Sequence, residues 1–404
     1  MHIIVLEKYP SSQRGGQERS LVDATRQLAQ RGHRITLLYG SPGDLLPQYA
    51  VFCDQMIPVK DFAILRSWQS PFWFGVDLLK VWYELRVKSQ AKLQAQSSVE
   101  PNSEPQPEAT IVYINQPYDV PFASILSWLK NVPLVCHLRL PSPVDFGLQR
   151  RLTIGRVKQF ISVSAANRQG WTHQVKTPIA VVHNGVIPDR YVRQRSVVDL
   201  RDTWQIPQDD RVICYVGRLD RMKGLGTLCS AFAKILETHP HSQLLIAGKP
   251  LQDEASYQTE LEQWCVELGI HDRVRFLGHI DRTIEVFHLS DVSVVPSQWA
   301  EPCAGAIIES LMAGTPVVAS KVGGNVELLT GEFSSGLFEA RDVDELAQAV
   351  RSRLNWRQDD PTLSDRTQDY AKQRFNLSDK VDAIEQVLLQ VAPPIPVKGD
   401  LYVA

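Results

Sequence analysis

Short apolar runs alternate with amphipathic stretches along the whole chain. His2–Leu6 reads as a buried strand, and the glycine-containing loop Ser11–Gly16 follows it. Leu21, Ala24, Leu28 and Ala29 then share one face of a helix predicted over Glu18–Arg31, which Gly32 ends. Ile35–Tyr39, Ile111–Ile114, Leu134–His137, Phe160–Val163 and Val181–His183 continue the strand series. The alternation pauses over the polar stretch 189–210 and then restarts. Val212–Val216, Gln243–Ala247, Val274–Leu277, Val292–Val295 and Pro316–Ala319 read as strands, with helices such as Gly226–Thr238 and Ala306–Ala313 between them. Ala371–Arg374 and Lys380–Val391 read as helical, and a loose tail begins at Pro393. Strands separated by helix-length segments imply parallel sheets with helical crossovers. Two such series in succession predict an α/β chain of two Rossmann-like, doubly wound domains facing a cleft. Ligands of such sheets bind outside the carboxyl ends of the strands.

The break in the pattern places the first domain at residues 1–188 and the second at 189–370, with 371–404 as closing helix and tail. Within the first domain, residues 93–110 (LQAQSSVEPNSEPQPEAT) are rich in Pro, Ser, Gln and Glu and lack apolar periodicity. They read as a flexible surface insertion. The preceding segment, Phe62–Leu85, is dense in aromatic residues: Trp68, Phe72, Trp73, Phe74, Trp82 and Tyr83. Such a stripe serves either as helix packing or as an exposed contact for an acceptor or a membrane.

A length of 404 residues with 44% hydrophobic and 22% charged residues suits a globular chain of two or three domains, not a disordered or fibrous one. The net charge of -2 conceals an asymmetry. Residues 1–190 carry 21 basic and 14 acidic residues, whereas 191–404 carry 22 and 31. The first half, at +7, is therefore suited to an anionic partner. Six Cys without a CxxC pair make neither a disulfide framework nor a zinc site and fit a reducing compartment. The opening MHIIVLEKYPSSQRGG has an apolar run too short for a signal peptide, and no stretch approaches 18 apolar residues. The expected location is cytoplasmic, soluble or peripheral on the cytoplasmic face of a membrane.

Four segments carry candidate chemistry. Ser297–Glu309 (SQWAEPCAGAIIE) follows a strand directly and opens a helix. Ala304 and Gly305 place unhindered backbone N–H groups at the positive end of that helix, which suits a phosphate. Glu301 in the loop can accept hydrogen bonds from sugar hydroxyls, and Glu309 in the helix from a ribose diol. Tyr215–Gly224 (YVGRLDRMKG) places Arg218 and Lys223 in a loop after a strand, where two cations can hold a diphosphate. Gly15-Gly16-Gln17-Glu18 forms a turn into the first helix. His137 stands at a strand end, followed by Arg139. Asp342-Val343-Asp344 is the one pattern suggestive of metal binding, and acids at a predicted helix start explain it better.

In their order these segments resemble the retaining, nucleotide-sugar-dependent glycosyltransferases of family 4, which have the GT-B fold. The resemblance covers residues 1–390: the early GG-x-E, HNGV at His183–Val186, GRLDRMKG, RVRFLGHI at Arg273–Ile280, the Glu-x7-Glu segment, and AGTPVVASKVGGNVE at Ala313–Glu327. It implies an acceptor-side first domain, a donor-binding second domain, and a closing helix that returns to the first. It implies that Gly16 meets the donor, that His137 faces the anomeric centre, and that Arg218 and Lys223 hold the diphosphate. Ile280 would meet the base, Glu301 the donor sugar, Glu309 the ribose, and Ala304–Gly305 the phosphate. No essential metal or other cofactor is implied beyond the nucleotide-sugar substrate. The acceptor would be a glycan, a lipid-linked saccharide or a small molecule, in polysaccharide or glycolipid synthesis. Cys303-Ala304-Gly305 departs from the family's usual Phe-Gly-Leu, which bears on the identity of the sugar. Lys249 replaces a commoner small residue. A sugar-nucleotide epimerase and a non-catalytic nucleotide- or glycan-binding protein share these features. No basic run or RNA-binding motif points to nucleic acid.

Overall fold

The computed structural model describes residues 1–13, 15–60, 62, 70–99, 108–141, 147–251 and 256–393. The chain forms two units: Met1–Val163 with Arg168–Val182 and the segment from Val381, and Ser164–Asn167 with His183–Lys380.

The first unit holds seven parallel strands: β1 (His2–Glu7), β2 (Arg34–Tyr39), β3 (Gln55–Pro58), β4 (Thr110–Ile114), β5 (Leu134–Leu138), β6 (Val157–Ser162) and β7 (Ile179–Val181). Their order is β3-β2-β1-β4-β5-β6-β7, so the winding reverses between β1 and β4. All six residues of β1 are buried, which is why it reads as a continuous apolar run and not as an alternation. Leu6 pairs with Ile114 and Ile114 with Cys136. The next residues along, Glu7, Asn115 and His137, therefore share one row at the carboxyl edge. Beneath that edge Leu6, Ile114, Phe122, Phe160 and Trp171 lie in the core.

The second unit repeats the plan with β8 (Arg211–Val216), β9 (Ser242–Ala247), β10 (Val274–Gly278), β11 (Val292–Val295), β12 (Val317–Ser320) and β13 (Leu337–Phe338). The order is β10-β9-β8-β11-β12-β13, with the reversal between β8 and β11. Ile213, Leu244, Ile246, Val294 and Phe338 fill its core with Phe232 of the helix Leu225–Leu236.

Several expectations are adjusted. β3 and β13 lie at sheet edges, and their short sequences carry no apolar run long enough to announce them. Residues 70–85 of the aromatic segment lie in a helix, Ser70–Val99, that is apolar on two sides. Phe74, Leu78, Val81 and Leu85 face the core, while Phe72, Val76, Leu79 and Tyr83 are exposed; Trp68 lies outside the described residues. That helix also runs into the segment 93–110. Residues 93–99 continue it, because Ala, Gln and Leu sustain a helix until Pro101 approaches. Residues 100–107 lie outside the described residues, and Thr110 already opens β4. Asp342 caps the helix Val343–Arg351, its carboxylate accepting from the Asp344 and Glu345 amides. All six cysteines are free thiols. Among the described residues no helix is long and apolar enough to cross a membrane.

Candidate functional site

In the second unit the reversal point brings two loops together. After β8 the chain makes a short 3-10 turn, Arg221–Lys223, capped by the Asp220 carboxylate, which accepts from the Met222 amide at 2.8 Å. Gly224 follows with φ 74°, and a Cβ there would run into the Pro296 carbonyl of the loop after β11. Only glycine permits both the left-handed backbone and that approach. The Gln298 amide donates to the Met222 carbonyl at 2.8 Å, closing the second tie between the loops.

This juxtaposition sets Lys223 against Glu301. Lys223 Nζ donates to Glu301 Oε1 at 2.5 Å, Ser297 Oγ at 2.6 Å, and Trp299 Nε1 at 2.8 Å. Lys223 also lies 5.3 Å from the centre of the Trp299 ring. Glu301 is 4% exposed. Burial pushes its pKa up, but the Lys223 charge and the three donors outweigh it and hold the carboxyl below its ordinary range. None of the three donors reaches Oε2. The backbone of Glu301 is fixed as well. Its carbonyl accepts from the Gly324 amide at 2.7 Å, and Gly323, at φ 50°, leaves that carbonyl room.

The helix Gly305–Met312 begins four residues after Glu301. Ala304 is its N-cap in extended conformation and supplies no side-chain acceptor, so the first amides present donors without an internal cap. Glu309 is half-buried on the second turn, and a Cβ on Gly305 would lie 3.6 Å from its Oε1. Arg218 sits on the Lys223 loop, its Nη2 3.9 Å from Asp220 Oδ2. Ile280, two residues beyond β10, packs partly buried against the core around Leu245 and Ala247. Lys249 is exposed, while its carbonyl accepts from the Leu219 amide at 3.1 Å.

Gly16 and His137 belong to the first unit. Gly16 is the first residue of the helix Gly16–Gln30, with open space where a Cβ would stand. His137 lies within β5, one residue before its end, and is 1% exposed. Its Nδ1 lies 2.7 Å from Tyr113 Oη and 3.4 Å from Arg139 Nη2. Burial, reinforced by the Arg139 charge, lowers its pKa well below the usual histidine value, so the ring is neutral. Beside it, Asn115 Nδ2 donates to Glu7 Oε2 and to the Gln17 carbonyl, both at 3.3 Å. Glu7 is pushed up to about 8, first by burial and then by the charges of Glu18 and Asp119. At neutral pH it is mostly a carboxylic acid.

The residues named from sequence thus fall into two groups. The structure joins Lys223 to Glu301, sets Glu309 near Gly305, and leaves Arg218 on the Lys223 loop near Asp220. Sequence reasoning does not pick out Ser297, Trp299, Glu7, Asn115 or Tyr113. Ser297 and Trp299 lie inside the SQWAEPCAGAIIE run and could have been read as ligands of its carboxylate. The other three are exposed as site residues only by the strand register.

Both halves of the chain match known proteins. Residues 14–190 match the family model described as Glycosyltransferase Family 4, and residues 198–374 match Glycosyl transferases group 1. An uncharacterized glycosyltransferase of Methanocaldococcus jannaschii is 33% identical over 200 residues, 48% of this chain and 50% of that protein. A glycogen synthase of Mycobacterium tuberculosis is 35% identical over 169 residues, 40% of this chain and 37% of the relative. These alignments span half or less of the curated relatives. Among solved structures, Anabaena HepE in complex with UDP and glucose superposes with a TM-score of 0.77 at 22% identity, covering 96% of this chain and 100% of that one.

Proposed function

Because the chain belongs to the glycosyltransferases of GT-B fold, we propose that it moves a sugar from a nucleoside-diphosphate sugar to an acceptor hydroxyl, with retention of anomeric configuration. The observation that carries this reading is the buried Lys223–Glu301 pair at the reversal of the second sheet. The HepE structures with UDP and UDP-glucose support the choice of donor class.

In the proposed reaction the bond from the anomeric carbon to the diphosphate oxygen breaks, and its electron pair stays on the diphosphate. Lys223, Arg218 and the first amides of the helix Gly305–Met312 meet that charge. These are the fixed positive groups of the site, so no metal is assigned a role, and transfer is expected to persist in EDTA. Glu301 accepts sugar hydroxyls through Oε2, Glu309 holds the ribose, Ile280 meets the base through its backbone, and Gly16 lets the first loop approach the donor. The acceptor hydroxyl attacks the face that the diphosphate leaves, and its proton passes to a departing phosphate oxygen. His137 orients substrate beside the anomeric carbon. The acceptor is a glycan, a lipid-linked saccharide or a small molecule, in polysaccharide or glycolipid synthesis.

Calorimetry with UDP and UDP-glucose tests the donor assignment. Arg218→Ala combined with Lys223→Ala should abolish binding while a melting curve shows a folded protein; undiminished binding would overturn it. The excess of basic residues in 1–190 is proposed to face an anionic acceptor or membrane surface at the cytoplasmic side. Sedimentation with anionic liposomes at low salt checks this, and no preference over neutral liposomes would point to a soluble acceptor.

A further inference from the structure

The helices Leu225–Leu236 and Tyr257–Glu267 pack together in the second unit. A Cβ on Gly226 would stand 2.6 Å from the Trp264 ring, so a glycine is what lets the two helices approach. Cys229 lies three residues on, along the same face of the first helix, and Cys265 follows Trp264 on the second. Their Sγ atoms are 3.8 Å apart. Both are free thiols within the core that holds Leu228, Phe232 and Leu261. Cys265 belongs to the last turn of its helix, next to the exposed Val266, where a local opening admits a molecule as small as hydrogen peroxide.

The second helix also braces the Lys223 loop. Both oxygens of Glu260 accept from Arg221 Nη2 at 2.6 Å, and the Arg221 guanidinium lies 4.8 Å from the centre of the Tyr257 ring. Arg221 opens the 3-10 turn that ends in Lys223, and Leu225 then starts the first helix. The loop is thus held at one end by the helix that carries Cys229 and at the other by the helix that carries Cys265.

The two thiols are unequal. Contact with Cys229 lowers the pKa of Cys265 against the opposing effect of burial, and the same contact, joined by burial, raises that of Cys229. Cys265 is therefore the better source of a thiolate.

We propose that Cys229 and Cys265 are a thiol–disulfide pair whose oxidation by a peroxide displaces the Lys223 loop and weakens donor binding. The Cys265 thiolate attacks one oxygen of hydrogen peroxide, the O–O bond breaks, and the other oxygen leaves as hydroxide, giving a sulfenic acid. Cys229 attacks that sulfur, the S–O bond breaks, and the Cys229 proton leaves with the hydroxyl as water. In sum two thiols and one hydrogen peroxide become a disulfide and two waters. Bonded sulfurs stand about 2.05 Å apart, so this pair must close by about 1.8 Å. Trp264 already fills the space against Gly226, so the second helix cannot settle flat onto the first. It turns about that contact and carries Glu260 and Tyr257 with it. A displacement on the order of 1 Å is enough to spoil a site that positions a diphosphate. The choice of donor as ligand rests on the sugar-transfer reading.

The full chain is treated with hydrogen peroxide and digested without reductant. Peptides carrying Cys229 and Cys265 should appear joined, two hydrogens lighter than their sum, and a dithiol should part them; peptides that stay separate would overturn the proposal. Calorimetry with UDP should show an affinity about tenfold lower in the oxidised chain, restored by the dithiol. Cys265→Ser and, separately, Cys229→Ala should each bind UDP like the reduced wild type and lose the response to peroxide, so the test survives if one of them fails to fold. A fall in affinity that persists in these variants would assign it to another thiol, such as Cys303 two residues beyond Glu301, and sink the proposal. Hydrogen exchange over residues 220–226 reads the loop without any ligand. It should change on oxidation, and identical exchange in both states would overturn the link between pair and loop. If the reduced chain binds no UDP while the crosslink still alters that exchange, the sugar-transfer reading falls and the thiol pair stands.

Discussion

The two sheets end in polar clusters of opposite character. At the carboxyl edge of the first, Glu7 on β1 and His137 on β5 are held neutral, chiefly by burial and then by the charges of Glu18 and Asp119 on the one and Arg139 on the other. At the reversal of the second, between β8 and β11, burial is just as deep, yet Glu301 stays charged because Lys223 is in contact with it. The same fold position therefore supports two kinds of chemistry. Groups held neutral can select a partner by hydrogen-bond polarity, whereas a fixed charge pair can answer a charge that appears during reaction.

The strongest way to break this contrast is to remove one member of the charged pair. Lys223→Met leaves the Glu301 carboxylate buried with no opposite charge in contact. The second unit should lose about 3–5 kcal/mol, read as a fall in its melting transition. The sign with pH follows from the carboxylate. In the wild type its depressed pKa gives stability that is present above the ordinary Glu value of 4.5 and lost as pH falls through the lower folded value. In the variant that advantage is gone, so the gap in melting temperature should narrow on acidification. Adding Glu301→Gln should recover much of the stability while UDP-glucose binding stays lost. A double variant that binds the donor normally would detach the pair from function.

The second test reverses the pH sign in the first unit. Glu7 has a raised folded pKa of about 8, so between pH 4.5 and 8 the unfolded chain releases a proton that the folded chain keeps. Its contribution is full below 4.5 and is lost as pH rises toward 8. Glu7→Gln removes this loss. The stability of the variant relative to wild type should rise across that window, by about 1.4 kcal/mol for each step of one in pH, and then level off. Parallel melting temperatures from about pH 5 to 9 would show that Glu7 is ionised throughout.

These two experiments also separate what was legible in the sequence from what was not. Lys223 and Glu301 stand in loops that directly follow apolar strands, so their place at a sheet edge could be read one loop at a time. Their contact could not, since it spans 78 positions and depends on Gly224 passing under the Pro296 carbonyl. Glu7, Asn115 and Tyr113 are harder still. Each looks like an ordinary strand or strand-end residue until the register sets Leu6 beside Ile114 and Ile114 beside Cys136. The central strands were visible because a parallel sheet covered on both faces demands an unbroken apolar run. β3 and β13 escaped because an edge strand makes a weaker demand. The helical course of residues 93–99 was hidden by polar composition, which resembles that of a loop although Ala, Gln and Leu are good helix formers.

A smaller effect is expected from Ser297→Ala. It removes one of three donors to Glu301 Oε1 and leaves Lys223 and Trp299 in place. A hydrogen bond to a charged group contributes about 1.5–3 kcal/mol, and the lower end applies when two donors remain. Affinity for UDP-glucose should fall about tenfold, with affinity for UDP little changed if Glu301 serves the sugar. Equal losses for both ligands would move Glu301 from the sugar to the diphosphate.

The smallest change bears on the neutral cluster. Tyr113→Phe deletes the hydroxyl 2.7 Å from His137 Nδ1 but keeps the ring and its packing. Arg139 Nη2, at 3.4 Å, still faces that nitrogen. The ring therefore loses its shorter tether, about 1 kcal/mol of orientation. Turnover should drop several-fold with the KM for donor unchanged, because the tether acts on the geometry of His137 and not on the diphosphate. If instead the KM for donor rose and turnover held, the first cluster would be binding donor charge, and the contrast between the two sheets would fail.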